Sequence, residues 1–327
     1  MPAKHSRRHF VKGALAATGA ASLAGSLEEK ALLAQAPTRG SAPGARPTPG
    51  SKNTLPTGKI GNLEISRLII GGNLIAGFAH SRDLLYPSQL LKHYFTEGKI
   101  LETLAIAEAH GVTAINTNPT ATRVIQKHRK QNRSKMRWIV QAYPRKSDRL
   151  TSVKQCIDAG ADAIYVQGNI ADRLVADGDL DVLDKVVRYV QAQGLPVGVG
   201  GHCLDVPKAC EKANFQADFY VKTLHRTDYW SHRRPDQPRH VIQDKRDNFW
   251  CLDPKATIDF MKAVEKPWIA YKVLAAGAIH PRDAFPHALN GGADFLLVGM
   301  FDFQIAEDVQ IAKRALAKAK RARPWRA

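Results

Sequence analysis

From residue 58 onward, short apolar runs alternate with longer stretches whose apolar residues recur every three or four positions. The runs fall at 66–72 (SRLIIGG), 112–117 (VTAINT), 136–143 (MRWIVQAY), 162–167 (DAIYVQ), 196–201 (PVGVGG), 217–223 (ADFYVKT), 268–275 (WIAYKVLA) and 294–299 (DFLLVG). Short apolar runs rich in β-branched and aromatic residues predict strands buried on both faces. The stretches between them predict helices. ILETLAIAEAHG (100–111) and DLDVLDKVVRYVQAQG (179–194) have helical spacing and stop at glycine, and DPKATIDFMKAVE (253–265) opens with Asp253 as N-cap and Pro254 at the first helical position. Strand–helix alternation implies parallel strands and right-handed crossovers. Eight such units over about 260 residues predict an α/β fold of the (β/α)8 or TIM-barrel class. A doubly wound sheet is the alternative. The even spacing and the lack of a GxGxxG turn after the first run argue against it.

Two segments break the rhythm: 74–98 after the first strand, with GFAHSRDLLY, and 226–252 after the sixth. Loops of this length are lids, binding loops or disordered. Following strands, both would stand over the C-terminal mouth, where barrels do chemistry. Their Trp, Tyr, His and Arg content suits a polar ligand, with Trp230 as a contact.

The strand ends then define the candidate site. They offer Asn73, Asn116 with Asn118, Gln141 with Tyr143, Gln167 with Asn169, His202, Lys222 with His225, Lys272 and Asp302. Amides and lysines, with few acids, suit a carbonyl or polyhydroxylated ligand. Lys222 sits inside an apolar run, where an unpaired ammonium costs several kcal/mol. A place at the mouth, facing a ligand or an acid such as Asp302, would explain it. His202, behind glycines, and His225, just past strand six, are candidate acid–base groups; alternatively the two share a divalent metal with Asp302 or water.

Charge changes this picture little. The net charge is +18, but residues 1–60 hold nine basic residues against two acids, and 313–327 hold seven against none. The segment 121–155 is also basic. With no aromatic platform or nucleic-acid motif beside it, a solvated helix face and a frayed basic tail are expected rather than nucleic-acid binding. No stretch is long and apolar enough to predict a transmembrane helix. The four cysteines form no CxxC pair, so zinc-ribbon and thioredoxin chemistry have no support.

At the front, SRRHFVK runs into the Ala/Gly-rich GALAATGAASLAGSL. It resembles the twin-arginine translocation motif. The resemblance implies a bacterial protein exported folded by the twin-arginine translocase, periplasmic or extracellular, and raises the expectation of a cofactor loaded before export. Residues 1–36 are read as the signal, with cleavage after Ala24 or Ala36, 37–57 as a Pro/Gly-rich disordered linker, and 58–327 as the barrel.

Two enzyme families are also resembled. TGKIGNLEISRLIIGG and GVTAINTNPTAT are similar to the opening hairpin and second strand of aldo/keto reductases. The family's catalytic residues do not carry over: Asn116 stands for its aspartate, Ala121 for its tyrosine, Gln141 or a neighbour for its lysine, and Gln167 or Gly168 for its histidine. The lysines of ADFYVKT and IAYKVLAAGAIHPRDA resemble the Schiff-base pair of class I deoxyribose-phosphate-type aldolases, which implies a nucleophilic Lys222 with Lys272 beside it. AAGAI and GGADFLLVGM resemble the phosphate grip of barrels, with the amides of Gly277 and Gly299 as donors, though Asp302 would repel an anion there. The expectation is an exported barrel enzyme acting on a small carbonyl compound or carbohydrate, lyase- or isomerase-like, using Lys222, Lys272, His202 and His225. An NADP-dependent reductase and a non-catalytic glycan-binding barrel are the alternatives.

Overall fold

The computed structural model describes residues 54–81, 84–237 and 250–327. The twin-arginine motif, both cleavage positions and most of the linker lie outside the described residues. Leu55 and Thr57, assigned to the linker, belong to the fold: Leu55 is buried and Thr57 opens a strand.

A hairpin of β1 (Thr57–Ile60) and β2 (Leu63–Ser66) pairs antiparallel. Eight strands follow: β3 (Leu68–Gly71), β4 (Ala114–Thr117), β5 (Arg137–Ala142), β6 (Ala163–Val166), β7 (Val197–Gly201), β8 (Phe219–Thr223), β9 (Trp268–Tyr271) and β10 (Phe295–Val298). They close into a parallel barrel in sequence order, with β10 against β3. All eight predicted runs are strands. The seventh stops at Tyr271 rather than running to 275, because Lys272 turns into a left-handed φ of 57°.

The helices are α1 (Tyr86–Tyr94), α2 (Glu97–Ala109), α3 (Thr122–Asn132), α4 (Thr151–Asp158), α5 (Gly168–Ala176), α6 (Leu180–Gln191), α7 (Asp205–Lys212), α8 (Pro254–Met261), α9 (Pro281–Asn290) and α10 (Asp302–Lys318). The predicted cap of α8 is present: Asp253 accepts from the Ala256 amide at 2.8 Å. None of the described helices is long and apolar enough to cross a membrane.

Strand alternation sorts the core into two layers. Ile69, Ala114, Ile139, Ala163, Tyr165, Phe219, Val221, Ile269, Phe295 and Leu297 fill the barrel, and Ile60, Leu63 and Ile65 of the hairpin pack with them. The alternate positions pack against the helices. Strand β7 reads VGVGG because its neighbour needs the space: a Cβ on Gly198 would collide with the Phe219 ring.

The basic helix face expected to be solvated is exposed at Arg123, Lys130, Arg133 and Lys135, whereas the basic tail expected to fray is held. Arg123 and Lys127 of α3 pair with Glu97. Arg129 pairs with Asp162 and donates to the Met136 and Gly160 carbonyls. After α10 the chain turns under the barrel. Arg321 and Arg323 both bind the fully buried carboxylate of Asp294, which also accepts from the Trp268 amide at 2.9 Å and the Arg326 amide at 3.0 Å. Arg67, at the start of β3, donates to the Asp294 carbonyl at 3.0 Å and stacks on Trp325 at 3.8 Å.

Candidate active site

The residues that converge at the C-terminal mouth come from β7, β9, α5 and the two long connections. His202 follows β7 directly and is 7% exposed. Its backbone amide and Nδ1 both bind the Asp172 carboxylate, Nδ1 at 2.7 Å, and the Cys203 amide donates to the same group at 2.9 Å. Asp172 is buried in α5. A carboxylate can only accept here, so Nδ1 carries the proton and Nε2 keeps its lone pair. Burial pulls the His202 pKa down, Asp172 opposes that, and the nearby Lys272 and Lys222 charges add to the lowering. The imidazole is therefore a neutral base whose free nitrogen is fixed by its partner.

Tyr271 ends β9 on the inward parity. Its ring centre lies 5.2 Å from that of His202. Its hydroxyl is buried and has no hydrogen-bond partner among the described residues. Burial first, then the charge of Asp172, holds its pKa well above the usual phenol range, so it stays a proton-bearing donor. Gly168, the first residue of α5, faces the same spot: a Cβ there would overlap the Tyr271 hydroxyl and press on the His202 ring at 3.1 Å.

Lys272 reaches the mouth through its left-handed backbone. Nζ lies 2.9 Å from His80 Nε2 and 3.9 Å from the centre of the Trp250 ring, a cation–π distance. His80 meets Trp250 edge-on at 4.6 Å. Residues from both long connections thus meet over Lys272, as their positions after β3 and β8 predicted.

Across the barrel lies a neutral polar set. Asn116 donates to the Ile139 carbonyl at 3.0 Å and accepts from Gln141 and the Tyr165 hydroxyl at 3.2 Å each; Gln141 accepts from the Tyr143 hydroxyl at 3.0 Å. Asn116 and Gln141 are brought together as the strand-end reading placed them.

Other assignments need correction. Lys222 does not face the mouth. Phe219 and Val221 of β8 point inward, so Lys222, on the parity of Tyr220, points to the helix layer. It is 2% exposed, and its Nζ donates to the Thr223 carbonyl at 3.0 Å and hydroxyl at 2.8 Å. Burial lowers its pKa, opposed by the charge of the Asp172 carboxylate. The Schiff-base pairing with Lys272 is therefore not assembled. Asp302 is not Lys222's partner either; it accepts from Tyr94 at 2.5 Å and Lys99 at 3.2 Å.

His225 is not placed to bind a metal. Nδ1 donates to the Arg226 carbonyl at 2.8 Å, and Nε2 accepts from the Trp250 and Cys251 amides at 3.0 and 2.9 Å. Both nitrogens are occupied by backbone, and among the described residues no group of three His, Cys, Asp or Glu could hold a metal ion. The imidazole instead fixes Trp250 in place. Burial pulls its pKa from 6.5 to about 3. The unfolded chain takes up this proton first, so the stability that the latch contributes falls as pH drops from 6.5 toward 3. The stability difference between the protein and a His225→Gln variant should narrow between pH 7 and pH 4 in urea titrations. A difference that stays constant would show that this imidazole does not titrate with folding.

The remaining assignments divide. Gln167 is a helix cap, accepting from the Ile170 amide at 3.0 Å, and Asn169 accepts from Arg173 at 3.0 Å. The Gly277 amide donates to the Leu274 carbonyl at 2.9 Å and is not available to an anion. Asn73, Gly299 and Trp230 are exposed, Trp230 by 92%. The four cysteines are free thiols. The strand-end reading missed Asp172, Tyr271, Gly168, His80 and Trp250. Asp172 is an acid within the apolar stripe of ADRLVA, and that interruption was the available signal.

No family model matches this chain, and no curated protein does. Solved structures do. A candidate aldo-keto reductase from Pseudomonas aeruginosa aligns with a TM-score of 0.54 at 17% identity, over 81% of this chain and 97% of its own. A second structure described in the same terms gives 0.53 at 17%, over 81% and 98%. A monotopic membrane protein, (S)-mandelate dehydrogenase, gives 0.50 at 12%, over 83% and 82%. At these identities the likeness is one of fold: a TIM barrel.

Proposed function

We propose that the protein is an enzyme that moves a proton on a small carbonyl compound or carbohydrate, isomerase- or lyase-like, at the barrel mouth. The carrying observation is the Asp172–His202 pair, which sets a neutral imidazole with its lone pair on Nε2. A neutral, oriented imidazole near physiological pH is suited to take a proton from carbon and return it. Lys272, beneath Trp250 and His80, supplies positive charge to an oxygen of the same ligand. The test is hydrogen exchange in deuterated water, followed by proton NMR across aldoses, ketoses and their keto derivatives. Exchange at a carbon next to the carbonyl is expected, falling at least a hundredfold in His202→Gln. Binding without exchange would instead favour the glycan-binding reading.

A reductase remains the second reading, for one reason. Tyr271, Lys272, His202 and Asp172 assemble a phenol, an ammonium, an imidazole and a carboxylate in one mouth, although strands two to four lack the reductase set. Quenching of NADPH fluorescence would support it; none at high micromolar protein would dismiss it. Export through the twin-arginine route rests on SRRHFVK alone. A reporter carrying residues 1–53 that still reached the periplasm after Arg7→Lys and Arg8→Lys would refute it.

A further inference from the structure

Apolar exposure on this barrel is confined to one end. Among the described residues ten large apolar side chains are exposed, and nine of them lie between a barrel strand and the first turn of the helix that returns from it, at the C-terminal mouth. The tenth, Trp325, stacks on Arg67 and Arg321 at the opposite end. Single exposed apolar residues scattered over a surface are ordinary; a cluster at one end marks a contact. Tyr86, Leu90 and Tyr94 recur at every fourth position of α1 and form one exposed stripe, while Leu91 turns to the core. Leu84 and Leu85 lead into the stripe, Leu85 being 71% exposed. Tyr94 meets Phe301 edge-on, and Phe301 stacks on the exposed Phe303, so the apolar surface continues onto the first turn of α10. The turn that exposes Phe78 flanks the helix, with the Ala79 amide donating to the Ser88 hydroxyl at 3.4 Å. The second long connection joins it where His80 meets Trp250, and adds exposed Trp230 and Leu252.

We propose that this face, α1 with the first turn of α10, docks on the surface of an anionic lipid bilayer. Leucine and phenylalanine would enter the acyl boundary, and the tyrosines would sit at the headgroups, where amphipathic rings are favoured. Charge selects the lipid. The chain carries a net charge of +18. On the face itself, Lys92 and His93 of α1 are exposed, and Lys92 makes no ion pair among the described residues. The acids beside the face are already neutralised: Asp302 by Lys99, and Glu97 by Arg123 and Lys127. The uncompensated charge there is positive, and it complements lipid phosphate. None of the described helices crosses a membrane, so the attachment is peripheral and reversible. It turns the barrel mouth toward the lipid, and it stands independently of the proton-transfer reading.

The test is sedimentation of the whole protein with phosphatidylcholine vesicles that carry either no anionic lipid or about one third phosphatidylglycerol. Binding to the anionic vesicles is expected to be tighter by about tenfold or more, and to weaken as salt rises. The double variant Leu85→Asp with Leu90→Asp should weaken it by about tenfold or more, and Lys92→Glu by about fivefold or more. Melting temperatures should not change, because all three side chains are exposed. Leu90→Trp should gain a blue-shifted emission on the vesicles, quenched by lipids brominated in their acyl chains. Binding that survives the double leucine variant, or a Trp at position 90 left unquenched on bound protein, overturns the proposal, because basic segments elsewhere would then hold the vesicle. Absence of binding to either vesicle overturns it too. Sedimentation velocity then names the occupant: a dimer that the leucine variant dissociates gives the face to a second copy, and a monomer gives it to residues 1–53 or another protein.

Discussion

Asp172→Asn is expected to lower catalysed hydrogen exchange by on the order of 10³-fold, with the barrel still folded. Asp172 receives three N–H groups: the His202 amide, the Cys203 amide and His202 Nδ1. An asparagine offers one acceptor oxygen and one NH2. Its NH2 would face His202 Nδ1, which must then accept, so the ring proton moves to Nε2. The imidazole would lose its lone pair at the position where the proposed chemistry needs a base. A wrong tautomer in an otherwise intact catalytic group costs about 10³- to 10⁴-fold. The two backbone amides keep an oxygen acceptor but lose its charge, which should cost about 1 kcal/mol of stability. Exchange and melting curves on the same sample separate the two effects. Exchange within threefold of the parent protein would remove Asp172 from the mechanism.

The largest stability effect is expected at Asp294. Its carboxylate is fully buried and holds Arg321, Arg323 and the amides of Trp268 and Arg326. Asp294→Ala leaves buried guanidinium charge uncompensated. Burial already lowers the pKa of Arg321, to about 10, and of Arg323, with Asp294 opposing the shift in both. Removing one partner of a buried charge pair costs about 3–5 kcal/mol. That is enough to push a typical domain close to its unfolding threshold. Urea unfolding at neutral pH would read it as a midpoint shift. The double variant Asp294→Asn with Arg321→Met should recover part of the loss, because it removes stranded charge as well as its acceptor. A loss under 1 kcal/mol in Asp294→Ala would mean that the arginines find water or carbonyls instead.

The barrel was legible in the sequence because each strand is a short apolar run and each long helix carries a stripe. The chemistry was less so. Lys222 illustrates why. In a strand buried on both faces, apolar residues sit on either side of it, so the sequence does not say which parity faces the axis. Phe219 and Val221 settle it by filling the barrel, and Lys222 then falls outward. His225 and Gln167 were legible as polar groups at strand ends, but their partners are backbone amides that no residue pattern reveals. Asp172 was missed because it arrives from a helix, although site residues were sought at strand ends. Tyr271 was overlooked between more conspicuous neighbours in IAYKV; only the geometry shows that its hydroxyl is buried without a partner among the described residues.

The seam between β10 and β3 constrains how the chain can be made. The first barrel strand pairs with the last, and Arg67 reaches the Asp294 carbonyl across the seam. The arginines that neutralise Asp294 follow α10, later still in the sequence. A ribosome delivers these parts tens of seconds apart at ordinary elongation rates of about 5–20 residues per second. Until residues 321–323 have left the exit tunnel, the nascent chain lacks the two arginines that neutralise Asp294 when the closed barrel buries it. Cotranslational folding should therefore stall at a partial barrel whose edges need chaperone cover, with closure a single late event. For the folded export proposed here, that event marks when a cargo becomes fit to leave.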